Sequence, residues 1–211
     1  MKTKLLLSSL ALSVILVSTA AAVPKYYEIG NGSTVSPFQG PEPPGGSGLV
    51  IQYAISPTLA GTNFILDDGQ MTTFSFFDIW TDETTVNSDD TVARTITATL
   101  DFFVPNVDPT ITGTTVGQRV FFGILQNGQL TWDGPVIVNV PGDRSFKVTL
   151  SDETFNFGLF GLFPGEHKGA TVEAKIEQLT SVLPVPENAN TAICLAGALA
   201  GLVALGRFRR A

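Results

Sequence analysis

Between residues 49 and 182, the chain repeats short runs rich in β-branched and aromatic residues, and turn sequences separate these runs. The clearest run is 92–104, in which apolar and polar residues alternate. Such alternation is typical of a β-strand with one buried face and one solvent-exposed face. The predicted buried face carries Val92, Ile96, Ala98, Leu100 and Phe102. We therefore expect a strand here, within an antiparallel sheet.

Other runs fit the same interpretation, and they cover residues 49–55, 62–66, 71–81, 120–126, 129–132, 135–140, 145–150 and 154–163. In the third of them the apolar alternation changes parity at Phe76-Phe77, which predicts a β-bulge. Asn127-Gly128 separates two runs and predicts a two-residue hairpin turn. The Pro-Gly-Asp-Arg sequence at 141–144 predicts a second turn.

The last run of the domain, at residues 170–182, fits two interpretations. Val172, Ala174 and Ile176 alternate as in a strand, whereas Val172, Ile176 and Leu179 also fit one stripe of a helix. We favour the strand because the other runs are strand-like.

The segment before the first run is expected to form mainly loops. Residues 26–48 contain a stretch rich in proline and glycine at 40–48, which excludes a helix or a central strand. Roughly eight to ten short strands, separated by regular turns and without a convincing helix, indicate an all-β fold. We predict an antiparallel β-sandwich, jelly-roll-like, over residues 23–183.

The N-terminus has the features of a secretory signal peptide. Lys2 and Lys4 precede an apolar stretch at residues 5–17, and three alanines ending at Ala22 offer a cleavage site. We therefore predict that residues 1–22 are removed on export and that the mature chain begins at Val23. The alternative, a buried N-terminal helix, explains the lysines and the alanines less well.

A second apolar stretch lies near the C-terminus, at residues 191–206. As a helix it spans about 24 Å, somewhat less than a bilayer core, and the following Arg207, Arg209 and Arg210 can extend its reach by snorkelling. Arginines favour the cytoplasmic side. We predict one transmembrane helix at 191–211 with an Arg-rich cytoplasmic end. The alternative is an amphipathic helix that closes the domain, but the stretch is apolar on every face.

A short motif precedes this stretch, within a spacer at residues 184–190. Val185, Pro186 and Glu187 are followed by Asn188. Motif, apolar helix and arginines, in this order, resemble the C-terminal sorting region of PEP-CTERM proteins, the substrates of exosortases. Asn188 stands where that family has a second proline. The resemblance covers only the C-terminal tail.

The resemblance implies a location and a processing enzyme. It implies a domain exported and held outside the membrane by its C-terminus, an exosortase-type enzyme that cuts near Glu187, and a final place at the cell surface or outside the cell. Exopolysaccharide is a partner that the resemblance suggests. The sorting and processing residues are then Ala22, Val185, Pro186, Glu187, Arg207, Arg209 and Arg210.

Charge and cysteine content limit the possible partners of the exported part. Residues 23–183 contain seven Lys and Arg against eighteen Asp and Glu, a net charge of −11. Such a surface argues against nucleic-acid binding and against adhesion to anionic lipid. The only cysteine, Cys194, lies in the apolar tail, so the exported domain has no disulfide.

No residue pattern in the domain predicts catalysis, a cofactor or a metal site. His167 is the only histidine, so a histidine-based triad or metal centre lacks partners. Acidic pairs occur at Asp67-Asp68, Asp82-Glu83, Asp89-Asp90 and Asp152-Glu153. They are best interpreted as solvated turn residues, although a hydrolytic pair or a calcium site has the same composition. Trp80 and Trp132 are expected in the core rather than on a sugar-binding surface.

Three functions fit these observations. The first is an exported, non-catalytic β-sandwich protein of the cell envelope or extracellular matrix, anchored and then processed at its tail. The second is a carbohydrate-binding module, which requires an exposed aromatic platform. The third is a glycan hydrolase that uses an acidic pair. We favour the first.

Overall fold

The structure is a computed structural model, and it describes residues 23–37 and 48–179. These residues contain thirteen strands and one turn of 3-10 helix, Glu166–Lys168. In chain order the strands are β1 (Lys25–Ile29), β2 (Thr34–Pro37), β3 (Gln52–Ile55), β4 (Asn63–Leu66), β5 (Met71–Trp80), β6 (Arg94–Thr99), β7 (Phe102–Val104), β8 (Thr110–Val120), β9 (Leu125–Trp132), β10 (Val136–Val140), β11 (Arg144–Leu150), β12 (Glu153–Leu159) and β13 (Ala170–Gln178).

The strands form three sheets, and every pair of neighbouring strands in them is antiparallel. The small sheet has the order β4-β1-β7, the β13 sheet has the order β10-β11-β13-β5-β3, and the β8 sheet has the order β12-β9-β8-β6-β2. One hydrophobic cluster includes buried residues of all three sheets, for example Tyr27, Phe146 and Ile96. The prediction of an all-β antiparallel fold is therefore confirmed.

The strand predicted at 92–104 is divided between two sheets. β6 pairs with β2 and β8, whereas β7 pairs with β1 in the small sheet. The break lies at Asp101, whose backbone N–H donates to Ser33 Oγ and whose carboxylate accepts from the Gly32 N–H at 2.6 Å. The predicted buried face is correct from Ile96 to Phe102, but Val92 is 41% exposed.

The bulge and the last strand are confirmed. Val172 pairs with Phe77 and Glu173 with Ser75, so Phe76 is the extra residue. The bulge turns both Phe76 and Phe77 into the core, where neither is exposed. β13 lies in the middle of its sheet between β11 and β5, so the strand interpretation of 170–182 is right as far as Gln178.

The hairpin predicted at Asn127-Gly128 is wrong, because β9 runs through both residues without a turn. They pair with Gln118 and Gly117 of β8. A Cβ atom at Gly128 would lie 2.3 Å from the Phe155 ring of β12, so the glycine makes room for that buried side chain. Its role is a tertiary close approach, which a short-range turn signal does not distinguish from a hairpin.

Three strands were not predicted. β8 is the longest strand of the described part, but Thr and Gly dominate its sequence and the apolar alternation is weak. β1 and β2 lie in the segment expected to form loops. The Pro/Gly-rich stretch of that segment falls mostly at residues 38–47, for which the structure gives no description.

In residues 23–37 and 48–179, no helix is long and apolar enough to cross a membrane. The signal peptide predicted at residues 1–22 and the transmembrane helix predicted at 191–211 lie outside the described ranges.

Candidate functional site

The hairpin between β8 and β9 ends in a turn formed by Phe121, Phe122 and Gly123. Pairing stops at Val120 and Leu125. The three turn residues have φ angles of 48°, 57° and 85°, all in the left-handed region. That conformation costs a residue with a side chain roughly 1–2 kcal/mol, so two adjacent phenylalanines hold a strained turn.

The end of β12 lies beside this turn. Leu159 pairs with Leu125, and the Phe160 N–H donates to the Ile124 carbonyl at 2.6 Å. Phe160 also has a left-handed φ, of 60°. We call this surface the apolar tip and define it as Val120, Phe121, Phe122, Ile124, Leu159 and Phe160.

The apolar tip is exposed to solvent and carries no charge. Phe122, Phe160 and Phe121 are 108%, 75% and 68% exposed, the highest values of any aromatic side chain in the described part of the chain. The same three are the phenylalanines with positive φ there. No charged residue occurs in 120–132 or in 154–165. Contiguous exposed apolar surface of this kind usually marks an interaction site.

Asn156 supports the tip from inside the domain. It is fully buried, with a φ of 51°, and lies in the bulge of β12. Its side-chain oxygen accepts from the Thr81 N–H at 2.8 Å, and its amide nitrogen donates to the carbonyls of Phe163 at 2.6 Å and Gly165 at 3.1 Å. Asparagine tolerates the left-handed region better than other non-glycine residues. One side chain thus fixes the loop after β12 to the end of β5.

One cation directly precedes the apolar tip in sequence, and another lies beside Phe163 in the loop that follows it. Arg119, next to Val120, donates from its guanidinium group to the Val86 carbonyl. The Lys168 ammonium lies 6.0 Å from the centre of the exposed Phe163 ring. Both side chains combine an apolar stem with a charged end.

An acidic loop at 82–90 lines a separate open pocket of about 390 Å³. The Glu83 carboxylate accepts from the Val50 N–H at 2.8 Å, and Asp90, only 2% exposed, accepts from the Asn87 N–H at 2.5 Å. Burial raises the pKa of Glu83, the hydrogen bond from Val50 opposes this, and the carboxylates of Asp90 and Asp89 add to the increase. Glu83 and Asp90 thus form a closely interacting carboxyl pair.

The remaining sequence candidates do not come together into a site. In the described ranges, no three His, Cys, Asp or Glu side chains form a group that could hold a metal ion. His167 is exposed in the 3-10 turn. Trp132 is in the core, as predicted, with its indole N–H donating to the Ser151 carbonyl at 3.0 Å, whereas Trp80 is half-buried.

The predicted sorting and processing residues all lie outside the residues that the structure describes. They are Ala22, Val185, Pro186, Glu187, Arg207, Arg209 and Arg210. Their roles therefore stay predictions.

Comparison of the chain with protein-family models, with curated proteins and with solved structures gives no match. The site must therefore be interpreted from its own residues.

Sequence reasoning missed the apolar tip, because it assigned residues 120–126 to a strand. A signal was present: Phe121-Phe122-Gly123 follows a polar segment ending in Arg119, and a second uncharged Phe/Gly-rich segment occurs at 154–163. Their adjacency depends on the pairing of β9 with β12, which the sequence pattern does not specify.

Replacing Glu83 by glutamine is expected to stabilise the domain at pH 7. Folding raises the pKa of Glu83 above its ordinary 4.5, so the folded state favours the protonated acid. The stability of the fold therefore falls as the pH rises through the pKa of Glu83 in the folded chain. Glutamine keeps the acceptor for Val50 without the charge. We expect Tm to rise by up to about 2 °C at pH 7 and to be unchanged at pH 4. Thermal unfolding at both pH values measures this.

Glu177→Gln is the matched control of opposite sign. Hydrogen bonding to Lys147, at 2.5 Å across the strands, lowers the pKa of Glu177, although burial partly opposes it. A carboxyl group whose pKa is lowered by folding stabilises the fold at pH values above its pKa in the unfolded chain. This stabilisation disappears as the pH falls through its pKa in the folded chain. The control is therefore expected to lose stability at pH 7. An equal effect of both variants at pH 7 would contradict the role of the carboxyl pair.

Proposed function

We propose that the chain is an exported, surface-anchored, non-catalytic protein of the cell envelope or extracellular matrix, and that the apolar tip is its binding surface. In this proposal the described strands are the exported domain, with its two five-stranded sheets facing each other as a jelly-roll-like sandwich. The C-terminal segment is a PEP-CTERM-like sorting signal that an exosortase-type enzyme processes.

The order of features at the chain ends supports export and anchoring. A signal-peptide pattern ending at Ala22 precedes the domain, and a motif at 185–187, an apolar stretch and three arginines follow it. The observation that carries the binding role is the coincidence of exposure, strain and absence of charge at Phe121, Phe122 and Phe160. Strained backbone persists where the surrounding structure enforces it, and it concentrates at functional sites.

The acidic loop supports a hydrolase less well. The carboxylates of Glu83 and Asp90 are each occupied by a hydrogen bond from a backbone N–H group, of Val50 and Asn87 respectively. Hydrogen bonding to backbone N–H groups is also what structural turn carboxylates do.

A carbohydrate-binding module is a second candidate, because the exposed rings of Phe121, Phe122 and Phe160 offer aromatic surface to sugars. The polar side chains that usually fix a sugar's orientation are missing from the tip itself. Binding to glycan arrays that is lost in Phe122→Ser would favour this candidate over the first. A wild-type chain that binds no glycan would leave the first in place.

The processing step is tested by replacing Pro186 and Glu187 together with alanine. We expect the full-length variant to accumulate in the membrane of an exosortase-containing host, because the recognised motif is lost. Intact mass measurement shows whether the C-terminus is retained. A control in which Asn188 and Asn190 become alanine leaves the motif unchanged and is expected to mature like the wild type. Maturation of the Pro186/Glu187 variant to the wild-type mass would show that the tail is a plain anchor.

A further inference from the structure

We propose that the apolar tip inserts into the surface of a lipid bilayer with zwitterionic headgroups. The inference rests on the proposed role of the tip as the binding surface, and it names the partner of that site. Insertion of the tip is a separate matter from the sorting signal, because the tip belongs to the folded domain.

The shape and chemistry of the tip suit hydrocarbon better than a protein partner. Phe121 and Phe122 extend from a tight turn beyond the last strand pair, and Phe160 lies beside them. These residues are 68%, 108% and 75% exposed, respectively, whereas protein partners usually receive aromatic anchors in shaped pockets with polar groups around them. Phenylalanine has no polar atom with which to specify such a partner.

Three backbone N–H groups of the tip are satisfied by internal hydrogen bonds. The Gly123 N–H donates to the Val120 carbonyl at 3.2 Å, and the Ile124 N–H donates to the Phe121 carbonyl at 3.2 Å. The Phe160 N–H donates to the Ile124 carbonyl. Backbone groups without a partner are strongly unfavourable in hydrocarbon, so a loop that enters a bilayer must satisfy them itself. These three N–H groups meet that requirement.

Charge indicates the class of lipid. The exported part carries a net charge of −11, so an anionic bilayer would repel it, whereas 120–132 and 154–165 carry no charge at all. Lys168, beside Phe163 in the loop that follows the tip, can offer its ammonium group to phosphates while its stem stays in apolar surroundings. A zwitterionic headgroup layer offers those phosphates without a net negative field.

The position of the tip defines how the domain would meet this bilayer. The Leu162 N–H donates to Thr84 and the Gly165 N–H to Thr81, so the loop that follows the tip lies beyond the end of β5. That end of β5 pairs with the beginning of β13, at Ala170. The described chain leaves at the other end of β13, about 30 Å away along the strand. The tip and the C-terminal segment therefore start from opposite ends of the domain.

The experiment measures the depth of the tip in the full chain, reconstituted into phosphatidylcholine vesicles and mixed with an excess of empty ones, because the tip starts from the end of the domain opposite the C-terminal segment. Cys194 is replaced by serine, and a nitroxide is attached to a cysteine at Phe122→Cys. The matched control is Phe103→Cys, since Phe103 is 65% exposed on β7 in the small sheet and outside the tip. Collision rates with oxygen, which partitions into hydrocarbon, and with a water-soluble nickel chelate report the surroundings of each label. Circular dichroism confirms that each variant keeps its strands.

We expect a several-fold higher oxygen-to-nickel collision ratio at position 122 than at 103. Adding Phe121→Ser and Phe160→Ser to the labelled variant is expected to lower the ratio at 122 to that of the control. Equal ratios at 122 and 103 in the first pair would overturn the proposal. Broadening between labels at 122 that disappears on dilution with unlabelled chain would also overturn it, because it would show the tip of a second copy as the occupant.

Anchoring by the C-terminus is measured in the same vesicles by alkaline carbonate extraction. This measurement is independent of the label at position 122, so failure of the anchor and failure of tip insertion can be distinguished. A chain that resists extraction but keeps an aqueous label at 122 supports the proposed anchor and overturns lipid insertion of the tip. A chain that is extracted at high pH, yet shows a lipid-exposed label at neutral pH, supports insertion and contradicts the proposed anchor.

Discussion

Replacement of Tyr27 by alanine is expected to lower the free energy of unfolding by about 3–5 kcal/mol, as for other large buried aromatic side chains. Tyr27 is fully buried where the small sheet meets the β13 sheet. Its ring stacks on that of Phe64, with the ring centres 5.1 Å apart. It makes edge-to-face contacts with Phe146 and Phe102, whose ring centres lie 5.3 Å and 6.1 Å away. Removing the ring leaves a cavity that all three neighbours line. Urea unfolding followed by tryptophan fluorescence measures the loss.

Tyr27→Phe separates the hydroxyl group from the ring. The hydroxyl donates to the side-chain oxygen of Gln178, which is itself fully buried. Burial raises the pKa of Tyr27 to about 12, although the guanidinium of Arg144, 4.8 Å from the ring centre, opposes the increase. The hydroxyl therefore stays a donor at all ordinary pH values. We expect Tyr27→Phe to cost about 1–3 kcal/mol, because a buried acceptor loses its partner.

Tyr26→Phe is the matched control for the hydroxyl group. Tyr26 is 42% exposed, and its hydroxyl donates to Glu28 at 3.0 Å on the surface. We expect a change within about 0.5 kcal/mol, as for most surface substitutions. Equal costs for the two Tyr→Phe variants would contradict the role assigned to the Tyr27–Gln178 hydrogen bond.

Replacement of Asn156 by aspartate is expected to cost about 3 kcal/mol or more at pH 7, although the two side chains have nearly the same shape. The acceptor for the Thr81 N–H is kept, but the donor to the Phe163 and Gly165 carbonyls becomes a negatively charged oxygen in a buried place. Burying an unpaired charge is among the largest single-residue effects. Urea unfolding at several pH values measures the loss.

The pH dependence distinguishes this mechanism from a general packing defect. A protonated aspartic acid can again donate to one of the two carbonyls, so we expect the cost to decrease towards pH 4. Its pKa in the folded variant should be raised, so stability relative to the wild type falls as pH rises through that value. A cost independent of pH would contradict the hydrogen-bond reversal.

Asn156→Gly is the control for the backbone, because glycine accepts the φ of 51° without strain and removes the side chain entirely. It leaves the Thr81 N–H and two carbonyls without their partner, and we expect an intermediate loss of about 1–3 kcal/mol. A glycine variant as stable as the wild type would show that the left-handed φ, rather than the amide, is what asparagine contributes.

The sequence predicts this fold best in strands with one buried face, because burial there places an apolar residue at every second position. Ile96 and Ala98 on β6, and Val172, Ala174 and Ile176 on β13, alternate because one face of each strand lies in the core. The bulge at Phe76 could be predicted for the same reason, since an extra residue changes that parity.

The errors occur where a residue's role depends on a distant part of the chain. Gly128 resembles a hairpin residue locally, yet it is needed because the Phe155 ring lies against it. β8 is held by β6 and β9 on its two sides, so its threonines and glycines need no strong pattern of their own. The apolar tip was missed because it combines two segments, 120–124 and 159–160, and the sequence of neither segment shows that the other lies beside it.

The central position of β13 has a mechanical consequence. Its ladders with β11 and β5 run along the strand from Ala170 to Gln178, and their hydrogen bonds lie across the strand axis. Tension between a tethered C-terminus and a captured tip would pull β13 lengthwise, so the bonds of both ladders share the load in shear instead of opening one after another. Resistance to such a pull depends on the rate of forced unfolding rather than on equilibrium stability. A domain of modest thermal stability could therefore serve as a strong link between two surfaces.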